Sequence, residues 1–303
     1  MSSSSSSSSS QLPRVLYSTA SHLGGTGLSN VAYHAVHALY QQQQLSKALI
    51  YRNRQKTVPK SYLQRIRFQP AKVFSGLSSR YYYSMKREWL DWRTAAYLQK
   101  HGNDFEIFHG WTHESLHSLR VMQQQYSTDK ISIVDRGYAH PLYSKRILDE
   151  EYANYGLSRQ LDQAPRWLKR FDHWRRETED ALEEFERANY VFVPSDFCYQ
   201  SFVQEGYPAE KLVMIPRGFD PSQFYRHDVT NQAPVQHPFR AIFLGLLTVR
   251  KGLKYLLEAW QALALPQAEL LLVGTLHEEL QPLLQPYLNH SSLTIRHIDF
   301  TPN

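Results

Sequence analysis

The chain has 303 residues, 42% hydrophobic and 20% charged, enough for about two domains and too apolar for wholesale disorder. No apolar run reaches the roughly 18 residues of a membrane-spanning helix, and a single cysteine, Cys198, excludes a disulfide framework or a multi-cysteine zinc site. The net charge of +6 and a pI near 9.2 point to an anionic partner without choosing among nucleic acid, a lipid surface and a phosphorylated small molecule.

Residues 1–11, dominated by a serine run, read as a disordered low-complexity tail, with neither the charged leader nor the apolar stretch of a secretory signal. A first strand is predicted at 14–18, followed by the turn Ser21-His22-Leu23-Gly24-Gly25-Thr26-Gly27. Leu28, Val31, Ala32, Ala35, Val36 and Leu39 then recur at three-four spacing and form one apolar helix face. A second strand at 47–51 closes a right-handed βαβ unit. Further strands are predicted at 105–109, 131–135, 190–194 and 212–216, with a long charged helix at 167–189. A helix at 196–205 is capped by Ser195 and stopped by Gly206. This alternation implies an α/β fold with a parallel sheet covered on both faces.

Polar and proline-rich residues around 217–239 mark a boundary, dividing the chain into an N-terminal domain over 12–225 and a second over 226–303. In the second, strands at 241–246, 268–274 and 293–298 alternate with helices at 251–263 and 278–288. These are too few to cover both faces of a doubly wound sheet, so the second domain is expected to be incomplete.

Several places could carry chemistry. Gly24-Gly25-Thr26-Gly27, between strand and helix, offers N–H groups and a helix dipole to a phosphate; the plainer alternative is a tight turn that needs glycine for its backbone. It is not a dinucleotide fingerprint, since Asn30 stands where a third glycine should be, and no lysine follows as a phosphate-binding loop requires. Arg250, Lys251 and Lys254 are predicted in the first turn of a helix, where cations oppose the macrodipole by about 0.3–1 kcal/mol each. A bound anion would remove that conflict, and Gly252 would let the backbone approach it; the alternative is a solvated basic face on a frayed end.

Asp135, Arg136 and His140 follow a predicted strand, at the end where open α/β sheets bind ligands, and His109 closes another strand on the same edge. Each histidine also reads as a packed structural residue. Residues 54–100 carry eleven basic and two acidic side chains, interleaved with Tyr81, Tyr82, Tyr83, Trp89 and Trp92. Met85, Trp89, Trp92 and Ala96 predict an amphipathic helix there, aromatics in the core and basic residues on a solvated face. Contact with an anionic bilayer or a single-stranded nucleic acid is the other reading.

The segments Ala188 through Ser195, Glu205-Gly206-Tyr207-Pro208, Lys211-Leu212, Ile215-Pro216 and Gly218-Phe219-Asp220 resemble the family 4 glycosyltransferases. The likeness continues through Gly245 to Gly252 and Leu256-Leu257-Glu258-Ala259-Trp260. Gly24-Gly25 looks like the family's N-terminal glycine loop, and Asp135-Arg136-Gly137 with His140 is similar to a bacterial subgroup. The resemblance covers nearly everything from Arg14 onward. It implies two Rossmann-like domains in the GT-B arrangement and retaining transfer of a sugar from a nucleotide-diphosphate donor, with no protein-bound metal or other cofactor.

Carried over, Arg250 and Lys251 would stabilise charge on the leaving phosphate. Gly24, Gly25 and Gly252 would bind the donor, His140 would take part in catalysis, and His109, Asp135 and Arg136 would shape the acceptor side. The implied partners are a nucleotide sugar and a glycan or lipid-linked acceptor, in the cytoplasm, with peripheral contact at an anionic inner membrane face and no nucleic acid. Two departures stand out. Leu246 stands where the family commonly has a polar or basic residue. The family's glutamate pair, two Glu flanking seven residues in the second domain, has no counterpart; the only pair so spaced, Glu106 and Glu114, lies in the first. The expectation is therefore a C-terminally truncated enzyme, and the alternatives are a non-catalytic phosphate-binding module and a basic membrane-surface adaptor.

Overall fold

The structure, a computed structural model, describes residues 12–66, 79–157, 173–219, 221–222, 225 and 239–299. The serine-rich tail, the first part of the helix expected at 167–189 and the start expected for the second domain at 226 lie outside them. The chain divides into two compact units, Met1–Tyr143 with Ala164–Arg217, and Ser144–Gln163 with Gly218–Asn303. A linear reading of the sequence does not anticipate the return of Ser144–Gln163 to the later unit.

In the first unit the apolar runs form a seven-stranded, all-parallel sheet. Its strands are β1 (Val15–Leu23), β2 (Leu45–Asn53), β3 (Leu63–Arg65), β4 (Ile107–Trp111), β5 (Ile131–Asp135), β6 (Tyr190–Val193) and β7 (Leu212–Met214), in the order β3-β2-β1-β4-β5-β6-β7. Every residue from Val15 to Ala20 is buried, as in a strand covered on both faces. One face carries Tyr17, Ala48 and Ile50 against Ala32 and Val36 of α1 (Leu28–Gln41), so the three-four stripe predicted there does pack inward. The other face carries Leu16, Leu49, Phe108 and Val134 against Leu90 and Leu98 of α2 (Ser79–Lys100). Leu119 and Met122 of α3 (Leu116–Tyr126), Phe185 of α5 (His173–Arg187) and Phe202 of α6 (Asp196–Gln204) complete that layer. Ser195 caps α6 by accepting from the N–H of Cys198 at 3.3 Å.

β1 runs to Leu23, well past the predicted 14–18, through a register shift between Thr19 and His22. Its polar tail stays paired because partners are supplied from elsewhere. The Ser18 hydroxyl meets Thr94 Oγ1 at 2.9 Å, and the Ala20 N–H donates to Glu114 at 3.0 Å.

The second unit holds β8 (Phe239–Leu244), β9 (Ala268–Val273) and β10 (Ile295–Ile298), parallel and in the order β10-β9-β8. Leu253, Leu257 and Trp260 of α7 (Leu253–Leu263) and Leu284 of α8 (Gln281–Leu288) bury Leu270, Leu272 and Ile295 on one face. Beside this core pack Tyr152, Tyr155 and Leu157, in or just beyond α4 (Pro141–Asn154), and the Tyr152 hydroxyl donates to Glu279 at 2.8 Å. On the opposite face, among the described residues, Ile242 is 63% and Leu244 73% exposed, and Ile298 on the far strand is exposed too. No helix among the described residues is long and apolar enough to cross a membrane.

Candidate functional site

Strand order places β1 and β4 side by side, with later strands added on one flank and β2 and β3 on the other. The carboxyl ends of such a reversal point leave a crevice, and here it is a pocket of about 300 Å³. Ala20 to His22 from the end of β1, Trp111 to Glu114 following β4 and Asp135 to Tyr138 following β5 form its floor. Leu28 and Ser29 of α1 and Tyr83, Lys86 and Arg87 of α2 form its sides.

The floor is built on buried charge. Glu114 accepts from the N–H of Ala20, and burial pushes its carboxyl up to about 7. Asp135 is raised to about 6 by burial, against the pull of Arg217. His113 sits at φ +71°, an unusual left-handed conformation for a non-glycine residue. Glu184 secures it from below, accepting from His113 N–H at 2.7 Å and Ser115 N–H at 2.9 Å. Burial lifts the Glu184 carboxyl well above its usual range. The imidazole of His113 is held well below its usual range by burial and by the Arg136 and Arg87 charges. Its Nε2 lies 2.9 Å from Arg136 Nη1 and 3.5 Å from Glu177.

Of the acceptor-side residues expected from sequence, Asp135 and Arg136 line the pocket. The Arg136 guanidinium is buried and donates to the Ala139 carbonyl at 3.1 and 3.3 Å. His109 stands behind the floor, 3.9 Å from Asp135, packed edge-on to Tyr17 and Phe192, with its pKa driven down to about 4 by burial. His140 is not in the lining. It is buried between Phe202 and Phe185, and its backbone N–H donates to the Ser201 hydroxyl at 2.9 Å.

Gly24, Gly25 and Gly27 all have positive φ, at +93°, +127° and +59°, so the turn needs glycine for its backbone as well as offering N–H groups. Arg54 reaches this turn: a Cβ on Gly25 would lie 3.7 Å from its Nη1.

Two polar side chains that the sequence reading placed on a solvated face are central. Lys86 is 7% exposed and walls the pocket, while Arg87 beside it reaches Glu177 at 3.6 Å. Conversely Trp92, expected in the core, is 57% exposed. The buried stripe of α2 is Lys86, Leu90, Asp91, Thr94, Ala95 and Leu98, rotated from the predicted one because polar residues hold inward positions.

In the second unit the predicted helix start is also shifted. Arg250 and Lys251 lie in a 3-10 turn, Val249–Lys251, and Gly252 at φ +69° separates it from α7. Only Lys254 stands in the first turn of the α-helix. Its Nζ donates to the Asn154 carbonyl at 3.2 Å, lies 3.9 Å from Glu258 and rests 4.9 Å from the centre of the Tyr155 ring. The dipole conflict foreseen for three cations is thus answered for one within the protein, while Arg250 and Lys251 are exposed. They follow the carboxyl end of β8, where Gly245 and Gly274 pack so closely that a Cβ on Gly274 would fall 1.9 Å from the Gly245 carbonyl oxygen.

No protein-family model and no curated sequence matches the chain. Solved structures do. The catalytic domain of starch synthase IV from Arabidopsis thaliana, bound to ADP and acarbose, superposes with a TM-score of 0.57 at 11% identity, over 96% of this chain and 75% of that one. HepE of Anabaena, in complex with UDP and glucose, gives 0.52 at 15% identity, over 96% and 70%. Sucrose-phosphate synthase of Thermosynechococcus elongatus gives 0.51 at 16%, over 94% and 70%. The fold is the α/β GT-B type, with Rossmann-like parallel sheets.

Proposed function

We propose that this chain is a nucleotide-sugar-dependent glycosyltransferase of the retaining family 4 type, in which the second unit binds the donor diphosphate and the first-unit pocket takes the acceptor. The observation that carries the reading is the fold, which over 96% of the chain follows proteins solved with UDP and glucose or with ADP and acarbose. In this reading Arg250 and Lys251 stabilise the leaving phosphate as charge develops on it. Gly252 beside them allows close backbone approach. Asp135 and Arg136 shape the acceptor side with His109 behind them, and His140, walled by phenylalanines, keeps a packing role. The second unit is then the first part of a donor domain, which fits the exposure of Ile242 and Leu244 on its described sheet.

Titration with UDP and ADP tests the donor assignment. Arg250→Ala and Lys251→Ala are each expected to weaken diphosphate binding by about tenfold, the worth of one lost charge-assisted contact. Unchanged affinity in both variants rejects it. Diphosphate binding and sugar transfer are separate properties in this reading. Release of UDP from UDP-glucose by the chain separates the two.

A further inference from the structure

A lysine with no ion pair among the described residues stands in the wall of the first-unit pocket. Lys86 is 7% exposed, and among the described residues its ammonium has neither an ion pair within 4 Å nor a hydrogen bond. It rests instead over the rings of Tyr51 at 4.7 Å and Tyr83 at 5.1 Å. Ring faces offset only part of the cost of desolvating an ammonium. Burial accordingly draws its pKa down, with the Glu114 charge pulling it back up. Glu114 is a poor counter-charge, since its own carboxyl is engaged by the Ala20 N–H and raised to about 7 by burial.

The lining adds positive charge from Arg87 and Arg136, while its two carboxyls, Glu114 and Asp135, are both raised by burial. α1 opens onto the pocket with no acidic residue in its first turn and no side-chain cap, so its partial positive charge is unopposed there. The remaining lining offers hydroxyls, from Ser21, Thr112 and Tyr138, beside the indole of Trp111. Hydroxyl groups around a flat apolar ring suit a polyhydroxylated ligand, and about 300 Å³ is at the small end of ligand pockets.

We propose that the pocket takes a monosaccharide-sized acceptor bearing an anionic group, phosphate or carboxylate, and that Lys86 receives that group. The word acceptor rests on the sugar-transfer reading; the anion site is a property of the first unit by itself. A ligand anion supplies the close ion pair that Lys86 lacks among the described residues, and neutral sugars do not.

Calorimetric titration of the 303-residue chain with glucose 6-phosphate, glucuronate, glucose and UDP tests this. At least one of the anionic sugars is expected to bind about tenfold or more tightly than glucose. Lys86→Met is expected to erase that preference and leave UDP affinity unchanged. Methionine keeps the side chain's reach and deletes its charge, so the unliganded variant should melt at or above the parent temperature. The proposal is overturned if neither anionic sugar binds more tightly than glucose, or if the preference survives Lys86→Met. It is overturned too if the variant melts well below the parent, since the ammonium would then have an internal partner. Loss of UDP affinity in the variant, or displacement of the anionic sugar by UDP, moves the anion to the donor and overturns the acceptor assignment. Anionic-sugar binding without any UDP binding upholds the anion site and removes the sugar-transfer reading instead.

Discussion

Glu114 is the residue at which burial and chemistry pull hardest against each other. Its folded pKa of about 7 stands above the ordinary 4.5, so folding takes up a proton between those values. The stability that comes with the protonated carboxyl is fully present below about pH 4.5 and is lost as pH rises through 7. At about 1.4 kcal/mol for each pH unit between the two values, the loss is about 3 kcal/mol. His109 works in the opposite direction. Its folded pKa of about 4 lies below 6.5, so its contribution is present above pH 6.5 and lost as pH falls. The parent's own pH profile therefore mixes opposed contributions, and the informative quantity is a difference. Glu114→Gln keeps an oxygen for the Ala20 N–H and removes the titration. Urea unfolding at pH 5 and pH 8 is expected to show the variant gaining about 2.5 kcal/mol on the parent across that range. A difference that stays flat would mean that Glu114 is solvated in the folded protein.

At the scale of elements, one helix is fastened to another through a buried carboxylate. Asp91 on α2 accepts from the N–H groups of His117 at 2.6 Å and Ser118 at 2.9 Å, and from the Ser118 hydroxyl at 2.6 Å, so it caps α3 from a neighbouring helix. Ser115, the residue just before α3, does not do this; its hydroxyl donates to the Trp111 carbonyl. Asp91→Ala leaves buried donors unpaired, and a cost of about 3 kcal/mol is expected. Equilibrium unfolding should register it as a lower denaturant midpoint at unchanged slope, while Asp129→Ala on an exposed turn serves as the neutral reference.

The same contact explains what the sequence could and could not disclose. α1 was legible because Leu28, Val31, Ala32 and Val36 write its inward face in apolar residues. The strand ends bearing Asp135 and Arg136 were legible from their position after an apolar run. α2 was misread because Lys86, Asp91 and Thr94 point inward, and each is made tolerable by groups far off in sequence: the Tyr51 ring, the start of α3 and Ser18. Period and polarity cannot reveal an inward lysine. The offset between the Arg250–Lys251 turn and α7 was hidden for a related reason, since the positive φ of Gly252 that breaks the helix there is a backbone choice.

Across the whole molecule the two sheets differ in how they meet water. The seven-stranded sheet has buried apolar layers on both sides, whereas among the described residues the three-stranded one has a layer on one side. Parallel strands ordinarily need both. The register makes the contrast local, because Leu244 pairs with Val273 at the end of β8 while Leu272, one residue earlier in β9, points to the covered face. Leu272 is fully buried and Leu244 is 73% exposed. Leu272→Ala should therefore create a cavity under α7 and cost about 3 kcal/mol, whereas Leu244→Ala should stay within about 0.5 kcal/mol of the parent. Two chemically identical truncations, neighbours in one small sheet, thus report which face carries the stability of the second unit. If Leu244→Ala proves as damaging as Leu272→Ala in thermal unfolding, the exposed face is covered in solution and the second unit does not stand as described.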